Sequence, residues 1–575
     1  MRLLVAFAVL VLMLVLGACG RPAAPPDPAT PPASPRPPVE PAMAHLPPTT
    51  AAWATGAALY DGVGDAHRTI TTTSADAQRY FDQGLRFMWA FNHDEATRSF
   101  AKAAELDPRC ETCYWGVSLT VGPNYNLPFL SAERAKVAFE ARQLAEQNAS
   151  TATAVEQALI GALIKRYPND RPLDSVAAVP VLSAYASAMK IIATQFPADL
   201  DVQTLYAESL MNVNAWKLWN QDGTPAPGTV EILATLESVL ARDPKHPGAN
   251  HYYIHAVEAS PHPEKGVAAA ERVAALAPAA GHLVHMPAHI MQRVGRYEDS
   301  AEANRRAAAA DDAYNARTHA PDYYPVMYSA HNYQFLAYAA ATEGRRAETI
   351  AASDNSRRTV SDAMLVEMPG ADWYVAQGYS ARLRFGLWAE MLALPAPSSK
   401  LPGLTGGYLY GRAVALAATG RVAEAREALA ALTKVTRELP DNAGAGQNLL
   451  KDVLAVAIPV VEAHIASAER KPADAIAKFR EAVVAEDRLR YDEPSNWLFP
   501  VRHELGAALL QAGAANEAER VYREDLRRNP ANGWSLYGLG FACRAQGKSA
   551  DAARADREFA AAWSHADVKL TASAY

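Results

Sequence analysis

The fold of this chain can be predicted from the spacing of residues in one stretch, residues 77–108, AQRYFDQGLRFMWAFNHDEATRSFAKAAELDP. Helices that cross closely need small residues at the crossing, aromatic residues beside it, and a residue that stops the second helix. Proline stops a helix because it has no backbone N–H to donate. The stretch supplies all three kinds, namely Gly84, Phe87, Ala96, Phe100, Ala103 and Pro108. We therefore predict a helix-turn-helix hairpin with a period of about 34 residues.

The same spacing returns elsewhere in the chain. It begins again at Phe499 and, 34 residues later, at Gly533. A chain of 575 residues exceeds one compact core, whereas a repeated hairpin builds a quasi-one-dimensional array. We predict an all-α fold, an α-solenoid in which hairpins stack into a right-handed superhelix. Further copies start at or near Arg109, Pro247, Gly281, Ala330, Asp372, Gly406 and Val456.

The hairpin resembles the tetratricopeptide repeat, abbreviated TPR. Phrases across nearly all of the chain after residue 48 also resemble a widespread group of bacterial TPR lipoproteins, most of them without an assigned function: FNHDEATRSF, CYWG, HYYIHAVE, AGHLVHMPAHI, YPVMYSAHN and RFGLWAEML. The resemblance implies a solenoid whose first helices line a concave groove. It also implies that a protein or peptide partner binds in this groove, and it assigns no catalytic residue.

The first residues indicate where the protein goes. MRLLVAFAVLVLMLVLGAC, residues 1–19, has one basic residue, an apolar run and small residues before Cys19, as a secretory signal does. The small residues before Cys19 resemble a bacterial lipobox, which implies cleavage before this cysteine and a lipid on its thiol. We expect an exported chain, lipid-anchored to the membrane of the bacterial cell envelope, at the outer membrane and facing the periplasm or the surface. The alternative is a plain signal peptide with an incidental cysteine.

Composition divides the remainder of the chain. Residues 21–48 contain 12 prolines, which favour an extended tether without a core. The formal charge of −7 is spread along the chain and forms no basic stripe, so we expect no nucleic-acid partner. The predicted segments are a signal peptide (1–18), a lipidated cysteine with a disordered proline-rich linker (19–55), N-terminal repeats (56–122), irregular helical repeats (123–246), histidine-rich repeats (247–360) and C-terminal repeats (361–575).

Histidines crowd the middle repeats. The phrases HYYIHAVE and GHLVHMPAHI each place three polar side chains on one helix face, because a helix turns by about 100° per residue. The TPR resemblance implies that these positions face the groove. Imidazole nitrogen binds Zn, Cu or Fe, so we predict a site for one or two divalent transition metals. The alternative is a polar groove whose histidines hydrogen-bond to tyrosines or to a peptide. The candidate ligands are His251, His255, Glu258, His282, His285, His289 and His331.

Two functions are compatible with such a site. The first is a binding or scaffold module of the cell envelope, with the metal on its concave face. The alternative is a metal-dependent enzyme of hydrolase or oxidase type, in which the metal keeps an open coordination position and Glu258 is a ligand or a base. Two insertions, 214–228 and 311–328, flank the histidine repeats, and they either close over the groove or fill irregular packing.

The cysteines do not form a disulfide framework. Cys110 and Cys113 form a C-x-x-C at the predicted start of a helix. The options for them are a disulfide, a soft-metal pair or two inert thiols, and an exported compartment favours the disulfide. Cys543 occupies a core position of its repeat, where we expect it to pack as a small apolar residue.

Overall fold

The structure is a computed structural model that describes residues 46–318 and 324–575. From residue 46 onward the described residues belong to one compact unit. The predicted signal peptide, the lipidated Cys19 and the linker up to residue 45 lie outside the described residues. Among the helices that are described, none has both the length and the apolar character needed to cross a bilayer.

The first part of the described chain is a row of helices joined by short connections. Side chains cap several helix starts, as when Ser74 accepts from the backbone N–H of Ala77 and Thr153 forms a capping box with Glu156. The helices are α1 (Thr50–Trp53), α2 (Ala75–Trp89), α3 (His93–Leu106), α4 (Glu111–Thr120), α5 (Ala132–Asn148), α6 (Ala154–Arg166), α7 (Ala178–Gln195), α8 (Leu200–Val213) and α9 (Thr229–Arg242), with a 3₁₀ turn at Ala149–Thr151.

The hairpin of residues 77–108 has the predicted packing. Helix α2 lies against α3, and α3 lies against α4. The ring of Phe100 fills the space between them, so a Cβ on Gly84 would lie 2.6 Å from that ring and one on Gly116 would lie 2.4 Å from it. Small residues stand at these places because the aromatic ring occupies the volume that a larger side chain would need.

The middle of the chain carries the predicted histidine repeats. Helices α10, α12, α15 and α18 begin at Pro247, Gly281, Ala330 and Asp372, where the sequence predicts repeats to start. The helices are α10 (Pro247–Val257), α11 (Val267–Leu276), α12 (Gly281–His285), α13 (Pro287–Arg293), α14 (Tyr297–Thr318), α15 (Ala330–Thr342), α16 (Arg346–Thr359), α17 (Asp362–Glu367), α18 (Asp372–Arg384) and α19 (Trp388–Ala393), with a 3₁₀ turn at Pro263–Gly266 and a π-helical turn at Pro325–Ser329.

The last part of the chain is also helical. The strands that are described form one two-residue antiparallel pair, so the fold is all-α as predicted. The elements are α20 (Pro402–Ala418), α21 (Val422–Glu438), β1 (Gly444–Ala445), β2 (Asn448–Leu449), α22 (Leu450–Ala468), α23 (Pro472–Glu486), α24 (Val501–Gln511), α25 (Ala515–Arg528), α26 (Gly533–Ala545) and α27 (Ser549–Ala562).

Two helices begin a few residues before the predicted repeat starts, and part of one predicted insertion is wrong. Helix α20 begins before Gly406 because Pro402 stands at its first turn, where a fixed φ and a missing N–H favour a helix start. Helix α22 begins before Val456, directly after the β1–β2 hairpin. Residues 311–318 are not an insertion but the end of α14, because the alanine-rich run before them continues the helix and Asp311 is buried on it.

The repeats do not contact their sequence neighbours alone. The indole N–H of Trp534 donates to the carbonyl of Ala341 at 2.9 Å, across 193 residues of sequence. The carboxylate of Asp567 accepts from the backbone N–H groups of Arg346 and Ala347. The expected quasi-one-dimensional array therefore returns on itself, and helices from the last repeats pack against helices from the middle ones.

Candidate metal centre

Two neighbouring repeats position six of the seven predicted ligands, and the seventh, His331, lies on α15. His251 and His255 lie one helical turn apart on α10, and Glu258 caps the C-terminal end of that helix. In the next repeat Pro287 divides the first helix into α12 and α13, because proline cannot continue the hydrogen-bond ladder. His282 and His285 lie on α12, and His289 lies on α13. All six side chains are at most 2% exposed.

The seven predicted ligands converge in space. Their nitrogen and oxygen atoms form three groups in which all ligand atoms lie within 4.8 Å of one another. Between imidazole rings, the Nε2 atoms of His285 and His289 are 2.7 Å apart, and the Nε2 atoms of His251 and His282 are 3.1 Å apart. The groups are His251 with His255 and His282, His285 with His289 and half-buried His331, and His255 with Glu258 and His289.

A second carboxylate belongs to the cluster, and the sequence reasoning missed it. Glu493 contacts Nδ1 of His289 through Oε2, while Oε2 of Glu258 lies 2.5 Å from the same nitrogen. Glu493 is 2% exposed and lies on the long connection between α23 and α24. The sequence feature that points to Glu493 is a pair of adjacent acidic residues, Asp492 and Glu493, inside an unusually long connection. Such connections are often functional.

Several of these atoms make no hydrogen bond. The short contacts around Nδ1 of His289 lack hydrogen-bond alignment, although their separations are small. A cluster whose buried polar atoms face one another without hydrogen bonds has the arrangement expected of ligands around a cation. The buried atoms without a hydrogen-bond partner are Nε2 of His255, Oε2 of Glu258, Nδ1 of His282, Nδ1 of His289, and Oε1 and Oε2 of Glu493.

Hydrogen bonds from outside the cluster orient two of the rings. Nδ1–H of His251 donates to the carbonyl of Trp89 at 2.6 Å. Nδ1–H of His285 donates to Oδ1 of Asn304 at 2.7 Å, and the amide of Asn304 is itself held by the carbonyl of Ser300. A ring that donates through Nδ1 presents the lone pair of Nε2 toward the cluster, which is the metal-binding form of neutral histidine.

Burial and charge set the protonation of the cluster. Burial lowers the pKa values of His251, His282 and His285 well below the usual range of histidine, and their imidazole neighbours lower them further. Burial opposes protonation of His289 as well, but the adjacent carboxylates of Glu258 and Glu493 raise its pKa. The three low-pKa rings are therefore neutral, which is the state that coordinates a metal.

The cluster opens into a cavity of about 790 Å³, part of which is open to solvent. Four of the histidines and Glu493 line it. Apolar side chains from the π-helical turn and from the stretch between the end of α16 and α18 also line it, namely Val326, Met327, Val360, Leu365, Ala371 and Val375.

Both flanking segments contribute an aromatic ring to the site. Trp216, from the 214–228 segment, lies with its ring 5.7 Å from that of His255. Tyr328, from the described end of the 311–328 segment, lies 4.8 Å from the ring of His282. Residues 319–323 of that segment lie outside the described residues.

The cysteine pair lies apart from the metal-ligand cluster, at the start of α4. The sulfur atoms of Cys110 and Cys113 are joined in a disulfide of 2.01 Å, and both residues are buried. Of the three options that the sequence leaves open, the structure therefore has the disulfide. Cys543 is a buried free thiol in α26.

Solved structures resemble this chain at low sequence identity. No protein-family profile matches the chain, and no curated protein matches it by sequence. A human IFIT1 dimer with m7Gppp-AAAA is 12% identical at a TM-score of 0.33, over 76% of this chain and 90% of the other. The Cut9–Hcn1 hetero-tetramer of APC/C is 13% identical at 0.30, over 88% and 77%. The TPR domain of P58(IPK) is 16% identical at 0.19, over 61% and 99%. At these low values the site is interpreted from its own residues. The chain itself is an all-α solenoid of TPR-like helical hairpins.

Proposed function

We propose that this protein is a helical-repeat binding module that holds a divalent transition metal at the histidine–glutamate cluster. The observation that carries the proposal is the convergence of buried nitrogen and oxygen atoms that lack hydrogen-bond partners. Leaving one such atom unsatisfied costs about 1–3 kcal/mol. A single bound cation would satisfy several of them together and would add to the positive charge that His289 already places beside the two carboxylates.

The ligand chemistry narrows the metal. Imidazole is a good ligand for Zn, Cu and Fe, and the carboxylates of Glu258 and Glu493 extend the choice toward Fe. The two histidine triads share no residue, so the cluster has enough ligands for up to two ions. The hydrogen bonds that orient His251 and His285 resemble the outer contacts that fix histidine ligands in metal sites.

Burial favours the metal over the polar-groove alternative. A peptide that lay in an open groove would contact exposed histidines, whereas six of the predicted ligands are at most 2% exposed. A protein partner in the groove would therefore contact residues other than these six, and a metal would occupy the cluster. An enzyme of hydrolase or oxidase type would in addition need a turnover that stops when the metal is chelated.

Metal analysis of the purified full-length chain tests the proposal. The chain is stripped with a chelator, exposed separately to Zn²⁺, Cu²⁺, Fe²⁺ and Mn²⁺, desalted, and analysed for bound metal per chain. We expect one or two ions of at least one of these metals. The double variant His255→Ala/His285→Ala should retain less than half of the bound metal, because each of the two histidine triads loses a ligand.

His262→Ala is the matched control. His262 lies just after α10 and is exposed, and its imidazole Nδ1 lies 3.2 Å from Oε1 of Glu264. This variant should bind as much metal as the unmodified chain. Absence of stoichiometric metal in the parent chain would refute the metal site, and full retention in the double variant would show that the ligands are different residues.

We also propose that a lipid on Cys19 anchors the chain in the bacterial cell envelope, which rests on the sequence before this cysteine. The variant Cys19→Ser should move the protein from the membrane fraction to the soluble fraction. Equal membrane retention of the variant would contradict the anchor.

A further inference from the structure

Beyond the metal, the cavity beside the cluster is suited to a ligand of its own. The space in it that the centres of water-sized molecules can occupy is about 110 Å³, which is close to the engineered cavity of about 150 Å³ that binds benzene and therefore suits a small ligand. Nε2 of His255 and Nδ1 of His282 belong to rings that line it, and both atoms are buried without a hydrogen-bond partner. The ligand-binding atoms and the cavity therefore adjoin.

The apolar side of the cavity is pre-formed. Leu365 is 1% exposed, and Val360 and Val375 are also buried, so the wall is held by the surrounding helices. The same cavity is lined by four imidazoles and Glu493. A ligand that fills the space therefore meets both polar and apolar side chains.

Asp492, which also lines the cavity, already has hydrogen-bond donors. The carboxylate of Asp492 accepts from the hydroxyl of Tyr374 at 3.0 Å and from the backbone N–H of Gln447 at 2.9 Å. The side chains that line the cavity among the described residues include no lysine or arginine. The positive charge available to an anionic or electron-rich head group is therefore that of a metal in the cluster, because the imidazole of His289 already contacts the carboxylates of Glu258 and Glu493.

We infer that the cavity binds a small amphiphilic molecule, with an oxygen-containing head on the metal and a short alkyl tail against Val360, Leu365 and Val375. This inference rests on the proposed metal site and specifies what that site recognises. A macromolecular chain is excluded as the ligand in contact with the metal because the ligand atoms of the cluster are buried.

Hydroxamates of increasing chain length test the inference, since the hydroxamate group coordinates metals through two oxygen atoms. The full-length chain loaded with Zn²⁺ is titrated calorimetrically with acetohydroxamate, butanohydroxamate and hexanohydroxamate, after its bound metal has been measured. Each methylene buried against the apolar wall should tighten binding about fourfold. The metal-stripped chain should bind the series far more weakly.

Neighbouring residues of α17 give a matched pair of variants. Leu365 faces the cavity, whereas Val366 is 45% exposed. In the unmodified chain hexanohydroxamate should bind more tightly than acetohydroxamate, and Leu365→Ala should reduce the ratio of these two affinities about tenfold or more. Val366→Ala should leave this ratio unchanged. The chain-length series on the unmodified protein gives an answer even if Leu365→Ala does not fold.

The outcomes separate the two proposals. A chain that carries no metal refutes the proposed function. A chain that carries metal but binds all three hydroxamates equally, or binds none, overturns the amphiphilic ligand and leaves the metal site intact. Equal binding with and without metal would overturn the placement of the head group on the metal.

Discussion

Replacing Gly281 by alanine should disturb the metal centre without touching a ligand. A Cβ at this position would lie 1.8 Å from Oδ1 of Asp311, and real Cβ atoms do not approach closer than 3.0 Å. Asp311 cannot swing away easily, because it accepts from Tyr324 at 2.8 Å and from Asn332 at 2.7 Å. Helix α12 must therefore move by about 1.2 Å, the difference between 3.0 Å and 1.8 Å.

The magnitude follows from the packing. Over-packing of this kind costs about 1–3 kcal/mol, which urea denaturation followed by circular dichroism should detect in the metal-stripped chain. Two histidines of the cluster lie on α12, so metal affinity should fall as well. If the whole over-packing free energy reduces metal binding, the metal affinity falls about 5- to 150-fold, at about 1.4 kcal/mol per factor of ten.

Gly161→Ala is the control for the substitution itself. Gly161 lies in α6, and a Cβ added there would have no neighbouring atom within 4 Å, so alanine should stabilise the helix by about 0.5–1 kcal/mol. If Gly281→Ala matches this control in both stability and metal affinity, the reasoning from the Asp311 contact is refuted.

Three further results are expected. Tyr522→Phe and Ser573→Ala should each lose about 0.5–1.5 kcal/mol of unfolding free energy, and the double variant should lose less than their sum, because the two hydroxyls are hydrogen-bonded at 2.6 Å; strict additivity would argue against the bond. Burial alone would raise the pKa of Asp525, but His503 and other donors lower it to about 2. A carboxyl whose pKa is lower in the folded chain than in the unfolded chain stabilises the fold at pH values above its unfolded pKa. Asp525→Asn should therefore lower the free energy of unfolding by about 2 kcal/mol at neutral pH, and this difference from the unmodified chain should vanish between about pH 4 and pH 2. A difference that does not change with pH would contradict this. Chelation should lower the thermal unfolding midpoint of the metal-loaded chain, because bound metal stabilises the fold by about 2.7 kcal/mol when free metal is at a hundredfold excess over Kd. The midpoint of His255→Ala/His285→Ala should not change on chelation.

The local features of the fold could be predicted from the sequence. The spacing of Gly84 and Phe100 is a contact within one hairpin, so a period in the sequence is enough to reveal it. The starts of α10 and α12 follow in the same way from the repeat length. Helical periodicity also placed His251 and His255 on one face, and the structure brings their ring centroids to 5.0 Å.

The remainder of the site depends on contacts that no local period encodes. Glu493 reaches His289 from a connection in a distant repeat, and sequence spacing says nothing about such a return. The break at Pro287 could be suspected, but its effect on His289 depends on how α13 packs. Asn304 was missed because a polar residue inside an alanine-rich helix has the same pattern whether it faces solvent or a histidine.

The hydrogen bond between Trp534 and Ala341 limits how the number of repeats in this chain can change in evolution. Open repeat arrays gain and lose units easily, because each unit touches only the units next to it. Here the last repeats meet the middle ones, and the connection that bears Glu493 reaches the histidines only if the intervening units bring it to the right place. The number of repeats between α13 and α24 is therefore fixed by the site, so a duplication or deletion of one hairpin in that interval should separate the carboxylate from its imidazole even where every remaining hairpin is intact.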